Sequence, residues 1–214
     1  MPDANVALER LKAGNRRYVE AHNRLAEAID AGRRKEVSGI QHPFAIILGC
    51  SDSRVPAEIV FDQGLGDLFV VRVAGNVVAP SLLGSIEFSA VTHGARLVVV
   101  LGHTGCGAVQ ATVDQLREPA GGVSPNLQSI VNRVRPSVDT LIEAGHGDER
   151  DELVRLATRA NIRASVSQVR YGSKILEDLV LKDGLLIVGA EYSLETGVVE
   201  FFEDEEVEDL VAEY

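Results

Sequence analysis

Apolar runs separated by helical patterns organise most of the chain after residue 43. Nearly every position in these runs is apolar, with Arg72 as the exception, a pattern typical of strands that are covered on both faces of a sheet. A further short run follows a Glu-Thr-Gly turn, which predicts a hairpin strand antiparallel to the fourth strand. The four buried strands and the hairpin strand are predicted over residues 44–48, 68–73, 97–101, 185–188 and 198–202.

Apolar residues at helical spacing fill the intervals between these runs. Residues 82–91 predict a helix closed by Gly94, and residues 108–116 predict a second helix. Residues 124–144 and 149–181 predict a long helical region before the fourth strand. This alternation predicts an α/β fold with a mostly parallel central sheet of four strands, one antiparallel edge strand, and helices on both faces.

The N-terminal segment has a different pattern. Residues 4–30 place apolar side chains near helical spacing among charged ones, so we expect a helical segment, either continuous or divided in two at Gly14. Residues 31–42 are polar, which favours a connecting loop. The helical segment would pack either on its own domain or on a neighbouring subunit. The chain is therefore predicted to comprise an N-terminal helical arm, an α/β domain and an acidic C-terminal helix or tail, over residues 1–42, 43–202 and 203–214.

Composition and charge exclude several classes of protein. With 45% hydrophobic and 25% charged residues the chain resembles an ordinary globular protein, and its apolar runs are too short to cross a bilayer. Without a secretory pattern at the start, we predict a cytoplasmic protein with no membrane partner. The net charge of −11 arises from residues 183–214, which hold 11 acids and no base. The rest of the chain is neutral, so we expect no nucleic-acid partner.

The two cysteines carry the clearest chemical signal in the chain. Cys50 follows the first predicted strand, and Cys106 follows the third, three residues after His103. If these strands are neighbours, the three side chains meet at the carboxyl edge of the sheet. Two thiolates and an imidazole suit Zn²⁺, and three ligands leave one tetrahedral position open, as in catalytic sites. Two small buried hydrophobic residues and a redox dithiol are the alternatives.

Two charged residues follow the first cysteine. Asp52 is the nearest candidate for a fourth metal ligand, and Arg54 is placed to hold its carboxylate by paired hydrogen bonds. The alternative is a solvated ion pair in a loop, which contributes only about 0–1 kcal/mol. Proximity to a metal favours the functional interpretation.

The motif Cys-Ser-Asp-Ser-Arg at 50–54 and the motif Gly-His-Thr-Gly-Cys-Gly at 102–107 together resemble the paired signature of the β-class carbonic anhydrases. The separation of the motifs and the order of strands and helices agree with that family. The resemblance implies a lyase, carbonate dehydratase, which reversibly hydrates CO₂ to bicarbonate and a proton by zinc-bound hydroxide. It also implies one Zn²⁺ per subunit and a homodimer or homotetramer.

The resemblance also assigns roles to individual residues. Cys50, His103 and Cys106 would bind zinc in the α/β domain, which is thereby a zinc-binding catalytic domain. Asp52 and Arg54 would form the catalytic dyad, in which the arginine keeps the aspartate off the metal. The aspartate would then accept a hydrogen bond from zinc-bound hydroxide.

Some family members place the equivalent of Asp52 on zinc at low pH, so Asp52 is a possible fourth ligand in a closed state. That state is linked to a second bicarbonate site, and Arg72 and Tyr192 match two residues of it. Ile47 stands where the family has a tryptophan, so the resemblance favours the open form.

Two other functions remain open. Carbonyl sulfide or carbon disulfide hydrolysis uses the same zinc ligands, and the motifs do not distinguish it from CO₂ hydration. A non-catalytic zinc-binding partner protein is the second alternative. The presence of Asp52 and Arg54 counts against it, because a structural zinc site has no need of the dyad.

Overall fold

A computed structural model describes residues 2–118 and 124–202 of the chain. The strands in this part of the chain are β1 (Ala45–Gly49), β2 (Leu68–Arg72), β3 (Leu97–His103), β4 (Leu186–Tyr192) and β5 (Val199–Phe201). The α-helices are α1 (Ala4–Val19), α2 (Leu25–Ala28), α3 (Ala31–Val37), α4 (Ala57–Val60), α5 (Pro80–Phe88), α6 (Gly107–Arg117), α7 (Pro125–Glu143), α8 (Arg150–Tyr171) and α9 (Lys174–Lys182).

The five strands form one sheet in the order β2-β1-β3-β4-β5. The first four are parallel, and β5 is antiparallel to β4, which confirms the predicted fold class. β1 and β3 are direct neighbours, with Gly49 opposite Leu101. The residues that follow these two strands, including Cys50 and Cys106, therefore meet at the same edge of the sheet, as a shared metal site requires.

Helices cover both faces of the sheet, as predicted. On one face, Leu11 of α1 and Phe61 after α4 pack with alternate residues of β1 and β3. On the other face, Ile86 of α5 and Ile162 of α8 pack with the remaining residues of the same strands. A third cluster joins α6, α7 and α8 beside the carboxyl edge, and it includes both cysteines.

The helical segment expected over residues 4–30 is interrupted between Val19 and Leu25 and not at Gly14, because α1 runs without a break from Ala4 to Val19. Gly14 instead lets α1 approach the domain: a Cβ at this position would lie 1.8 Å from the carbonyl oxygen of Phe61. The neighbouring Asn15 hydrogen-bonds to the backbone of Val60, Gly197 and Val199. In this structure α1 therefore packs on its own domain.

The segment 31–42, expected to be a loop, contains the helix α3. The carboxylate of Asp30 caps this helix by accepting a hydrogen bond from the backbone N–H of Arg33 at 2.7 Å. Arg33 also forms an ion pair with Asp67 at 3.2 Å. No residue of α3 is buried, so the helix has no apolar stripe that a hydrophobic pattern would reveal.

The region 149–181 forms two helices, because Ser173 starts α9 by accepting a hydrogen bond from the backbone N–H of Leu176. The acidic helix or tail predicted over 203–214 lies outside the described residues. In the two described stretches of the chain, no helix has the length and the apolar character needed to span a membrane.

Candidate metal centre

Cys50, His103 and Cys106 converge at the carboxyl edge of the sheet. Cys50 directly follows β1, His103 is the last residue of β3, and Cys106 is the N-cap residue of α6. Their ligand atoms all lie within 4.8 Å of one another. The side chains are buried, with exposed fractions of 5%, 0% and 1%. Over residues 2–118 and 124–202, no other three His, Cys, Asp or Glu residues form a comparable group.

The imidazole of His103 is oriented for a metal. Its Nδ1–H donates to the carbonyl oxygen of Thr104 at 3.0 Å, which leaves the lone pair on Nε2. Nε2 is fully buried and has no hydrogen-bond partner. A buried polar atom without a partner costs about 1–3 kcal/mol, and a metal ion would supply the missing contact. The donor set and this unpartnered atom both fit Zn²⁺.

The thiols of Cys50 and Cys106 interact directly with each other. The hydrogen bond from Cys106 lowers the pKa of the Cys50 thiol, although burial acts in the opposite direction. The same hydrogen bond, together with burial, raises the pKa of Cys106. The group thus favours one thiolate and one thiol that keeps its proton, and a divalent cation would displace that proton.

Asp52 and Arg54 form a bidentate pair at the mouth of this group. Arg54 Nε donates to Oδ1 of Asp52 at 3.0 Å, and Arg54 Nη2 donates to Oδ2 at 2.7 Å. These hydrogen bonds hold the pKa of Asp52 far below its usual range. Oδ2 of Asp52 lies 3.9 Å from Nε2 of His103, so the carboxylate faces the three candidate metal ligands.

Contacts from outside the two motifs hold the loop that carries Cys50. Arg72 donates from Nε to the carbonyl oxygen of Cys50 at 3.0 Å and from Nη2 to that of Asp52 at 2.7 Å. The backbone N–H of Gly75 donates to Sγ of Cys50 at 3.4 Å. Asn161 Nδ2 in turn donates to the carbonyl oxygen of Gly75 at 2.8 Å. Asn161 was not among the predicted site residues. The one feature of the sequence that could have indicated it is a polar amide side chain beside apolar residues in a predicted helix.

The residues that match the family's second bicarbonate site have other partners in this structure. Arg72 contacts the two backbone carbonyls just described. The hydroxyl of Tyr192 lies 3.2 Å from that of Tyr18 in α1. Burial, and to a smaller extent this hydrogen bond, raises the pKa of Tyr192 to about 12. Ile47, at the tryptophan position, is fully buried in the sheet.

Sequence comparison decides the family. A model of the carbonic anhydrase family matches residues 45–199, from the start of β1 to the first residue of β5. The chain belongs to the carbonic anhydrase family. It is 41% identical to a carbonic anhydrase of Mycolicibacterium smegmatis over 94% of this chain and 95% of that protein. It is 38% identical to carbonic anhydrase 2 of Mycobacterium tuberculosis over 92% and 93% of the two chains.

Solved β-carbonic anhydrases share the fold. The enzyme of Aspergillus fumigatus superposes with a TM-score of 0.72 over 96% of this chain and 95% of that one, at 23% identity. The Coccomyxa enzyme gives 0.72 over 94% and 87%, at 24% identity. A tetrameric enzyme of Sordaria macrospora gives 0.70 over 92% and 94%, at 21% identity. The β-class resemblance predicted from the two motifs is confirmed, and this chain is a carbonic anhydrase.

Proposed function

We propose that the protein catalyses reversible hydration of CO₂ to bicarbonate with one Zn²⁺ per subunit, held by Cys50, His103 and Cys106. The observation that carries the proposal is the buried group in which Nε2 of His103 has no partner beside two thiol sulfurs. Bound zinc lowers the pKa of water enough to make hydroxide available near neutral pH, as it does in carbonic anhydrases with three histidine ligands.

The dyad supplies the orientation that this reaction needs. Asp52 is positioned to accept a hydrogen bond from the attacking water and to direct its lone pair towards the carbon of CO₂. Arg54 occupies both carboxylate oxygens, which keeps Asp52 ionised and therefore an acceptor. An ionised Asp52 does not carry the released proton, so that proton leaves through another group or through water.

The pairing with Arg54 also favours the open form, in which Asp52 stays off the metal. To become a fourth ligand, Asp52 would have to give up two side-chain hydrogen bonds to Arg54. X-ray absorption of the zinc-loaded protein across the acidic and neutral range tests this point. An unchanged sulfur, nitrogen and oxygen shell supports the open form, whereas an additional carboxylate oxygen at low pH contradicts it.

Metal analysis combined with stopped-flow CO₂ hydration tests the function. We expect one zinc per chain, two unreactive thiols and rapid hydration of CO₂. Asp52→Ala should retain zinc and lose most of the activity, because the truncation removes the orienting acceptor. Full activity of the zinc-replete variant would contradict the role of Asp52. Zinc without turnover would favour a binding protein, and faster hydrolysis of carbonyl sulfide or carbon disulfide would favour the hydrolase alternative.

The remaining assignments belong to the same proposal. We propose a homodimer or homotetramer, and the tetrameric state of the Sordaria macrospora enzymes gives support from a protein of the same fold. Residues 43–202 would hold the complete zinc-binding catalytic unit, with 1–42 as an arm and 203–214 as an acidic end. Analytical ultracentrifugation of the zinc-loaded protein measures the assembly. A cytoplasmic location stays a prediction, consistent with two free thiols.

A further inference from the structure

We propose that Asn161 is a positioning residue for the metal centre, acting on Cys50 through the backbone of Gly75. This inference rests on the proposed role of Cys50 as a zinc ligand. Asn161 lies on α8, more than a hundred residues after Cys50 along the chain, and it belongs to neither motif. It reaches the site through one relay: the amide of Asn161 bonds to Gly75, and Gly75 bonds to the sulfur.

The first step of the relay fixes the conformation of Gly75. This residue has φ 72° and ψ 18°, in the left-handed region, within the short turn Ala74–Asn76. Asn161 Nδ2 is the side-chain donor to its carbonyl oxygen, at 2.8 Å. A Cβ at this position would also lie 3.0 Å from the Cβ of Ala108, so the turn is held closely against α6. The carbonyl and the N–H of Gly75 belong to neighbouring peptide planes joined by φ and ψ, so the hydrogen bond from Asn161 and the contact with α6 orient the N–H by holding these two angles.

The second step acts on the sulfur. The N–H of Gly75 donates to Sγ of Cys50 at 3.4 Å, a distance suitable for a hydrogen bond to sulfur. A donor at this position stabilises negative charge on the thiolate, and it also fixes the direction of the side chain towards His103 and Cys106. Partners of this kind contribute to metal affinity although they never touch the metal.

The same helix supports the second motif, which explains why α8 can carry this role. Ile162, next to Asn161, packs so closely on β3 that a Cβ at Gly102 would lie 2.4 Å from its Cδ1 atom. Gly102 immediately precedes His103. Asn161 and Ile162 thus connect α8 to both halves of the metal centre, one by a hydrogen bond and the other by packing.

The experiment compares Asn161→Ala with the matched control Thr158→Val. Both residues are 2% exposed and lie on α8, but the hydroxyl of Thr158 donates to Val154 within the helix. Zinc dissociation constants are measured by competition with a chromophoric chelator. Cobalt-loaded protein gives the sulfur-to-metal charge-transfer band, and urea unfolding of the metal-free proteins gives their stabilities.

We expect Asn161→Ala to weaken zinc binding 10- to 100-fold and to shift the charge-transfer band. That range is typical of the loss of a hydrogen bond to a metal ligand, and we expect Asn161→Ala to release the Gly75 donor from Cys50. Thr158→Val should lose stability yet keep the zinc dissociation constant within about twofold and the band unchanged, because its hydrogen bond does not reach the site.

A folded Asn161→Ala protein with the zinc affinity and the cobalt band of the control would overturn the proposal. If that variant does not fold, the wild-type protein loaded with ¹¹³Cd supplies the decision. Scalar coupling between cadmium and the amide proton of Gly75 supports the step from Gly75 to Cys50 on which the proposal depends, and its absence overturns the proposal. A wild-type protein that binds no stoichiometric zinc would instead contradict the proposed function, so the two failures are distinguishable.

Discussion

Asn15 fixes α1 to the domain through three hydrogen bonds. Its Nδ2 donates to the carbonyl oxygens of Val60 at 3.1 Å and Gly197 at 2.9 Å. Its Oδ1 accepts from the backbone N–H of Val199 at 2.9 Å. Asn15→Ala removes all three and leaves backbone groups of α4 and β5 without partners. We therefore expect a large loss of stability from a residue far from the metal centre.

The magnitude follows from the number and burial of these bonds. At about 1 kcal/mol net for each bond, the variant should lose about 3 kcal/mol of unfolding free energy. Val60 and Val199 are buried, so their unpaired groups shift the expected range towards about 5 kcal/mol, whereas the carbonyl of Gly197 is more accessible to water. For a chain of this length, a loss of about 3 kcal/mol lowers the melting temperature by about 6–12 °C.

Urea unfolding followed by circular dichroism measures the effect, with both proteins at the same concentration and metal content. Asn132→Ala is the control, because Asn132 is an exposed helical asparagine whose side chain accepts a hydrogen bond from a glutamine in its own helix. The control should change the unfolding free energy by less than about 0.5 kcal/mol. Equal stabilities of the two variants would refute the inference that Asn15 joins α1 to its own domain.

Three further outcomes can be measured directly. Gly102→Ala places a Cβ against Ile162 and should lower the free energy of unfolding, measured in urea, by about 1–3 kcal/mol. Adding Ile162→Val should restore part of this loss. Equal stability of the single variant and the wild type would contradict this packing. Because burial raises the pKa of Tyr192 to about 12, this phenol stabilises the fold fully below about pH 10. That contribution is lost as the pH rises to 12, and Tyr192→Phe should flatten this part of the stability profile; an unchanged profile would argue against it. Removing metal with a chelator should make Cys50 and Cys106 reactive towards a disulfide reagent, and zinc should restore protection; thiols equally unreactive without metal would count against their role as ligands.

The strands could be predicted because most of them carry uninterrupted apolar runs. β1 and β3 are covered on both faces, so every position in their centres is apolar. β4 extends to Tyr192, beyond the predicted end at residue 188, because its pairing with β3 continues as far as His103. Pairing of this kind depends on a neighbouring strand and leaves no hydrophobic signal in the strand itself.

The three candidate metal ligands could be predicted for a different reason. Their chemistry is local: one cysteine and a His-x-x-Cys pair follow strands whose carboxyl ends must meet if the strands are neighbours. The supporting contacts are not local. Asn161 and Gly75 are separated by 86 residues, and only the packing of α8 on the sheet brings them together. The role of Gly14 is likewise not local. It lets α1 pack closely on Phe61, and the hydrophobic pattern of α1 gives no sign of that contact.

The position of β1 beside β3 has a consequence for synthesis of the chain. Cys50 is translated about 50 residues before His103, because β2, which pairs with the opposite side of β1, and α5 intervene in the sequence. At a translation rate of about 5–20 residues per second, roughly 3–10 s pass between the synthesis of Cys50 and that of His103. During this interval the nascent chain presents a single unpaired cysteine to cellular oxidants and foreign metals, and pairing of β1 with β3 ends that exposure.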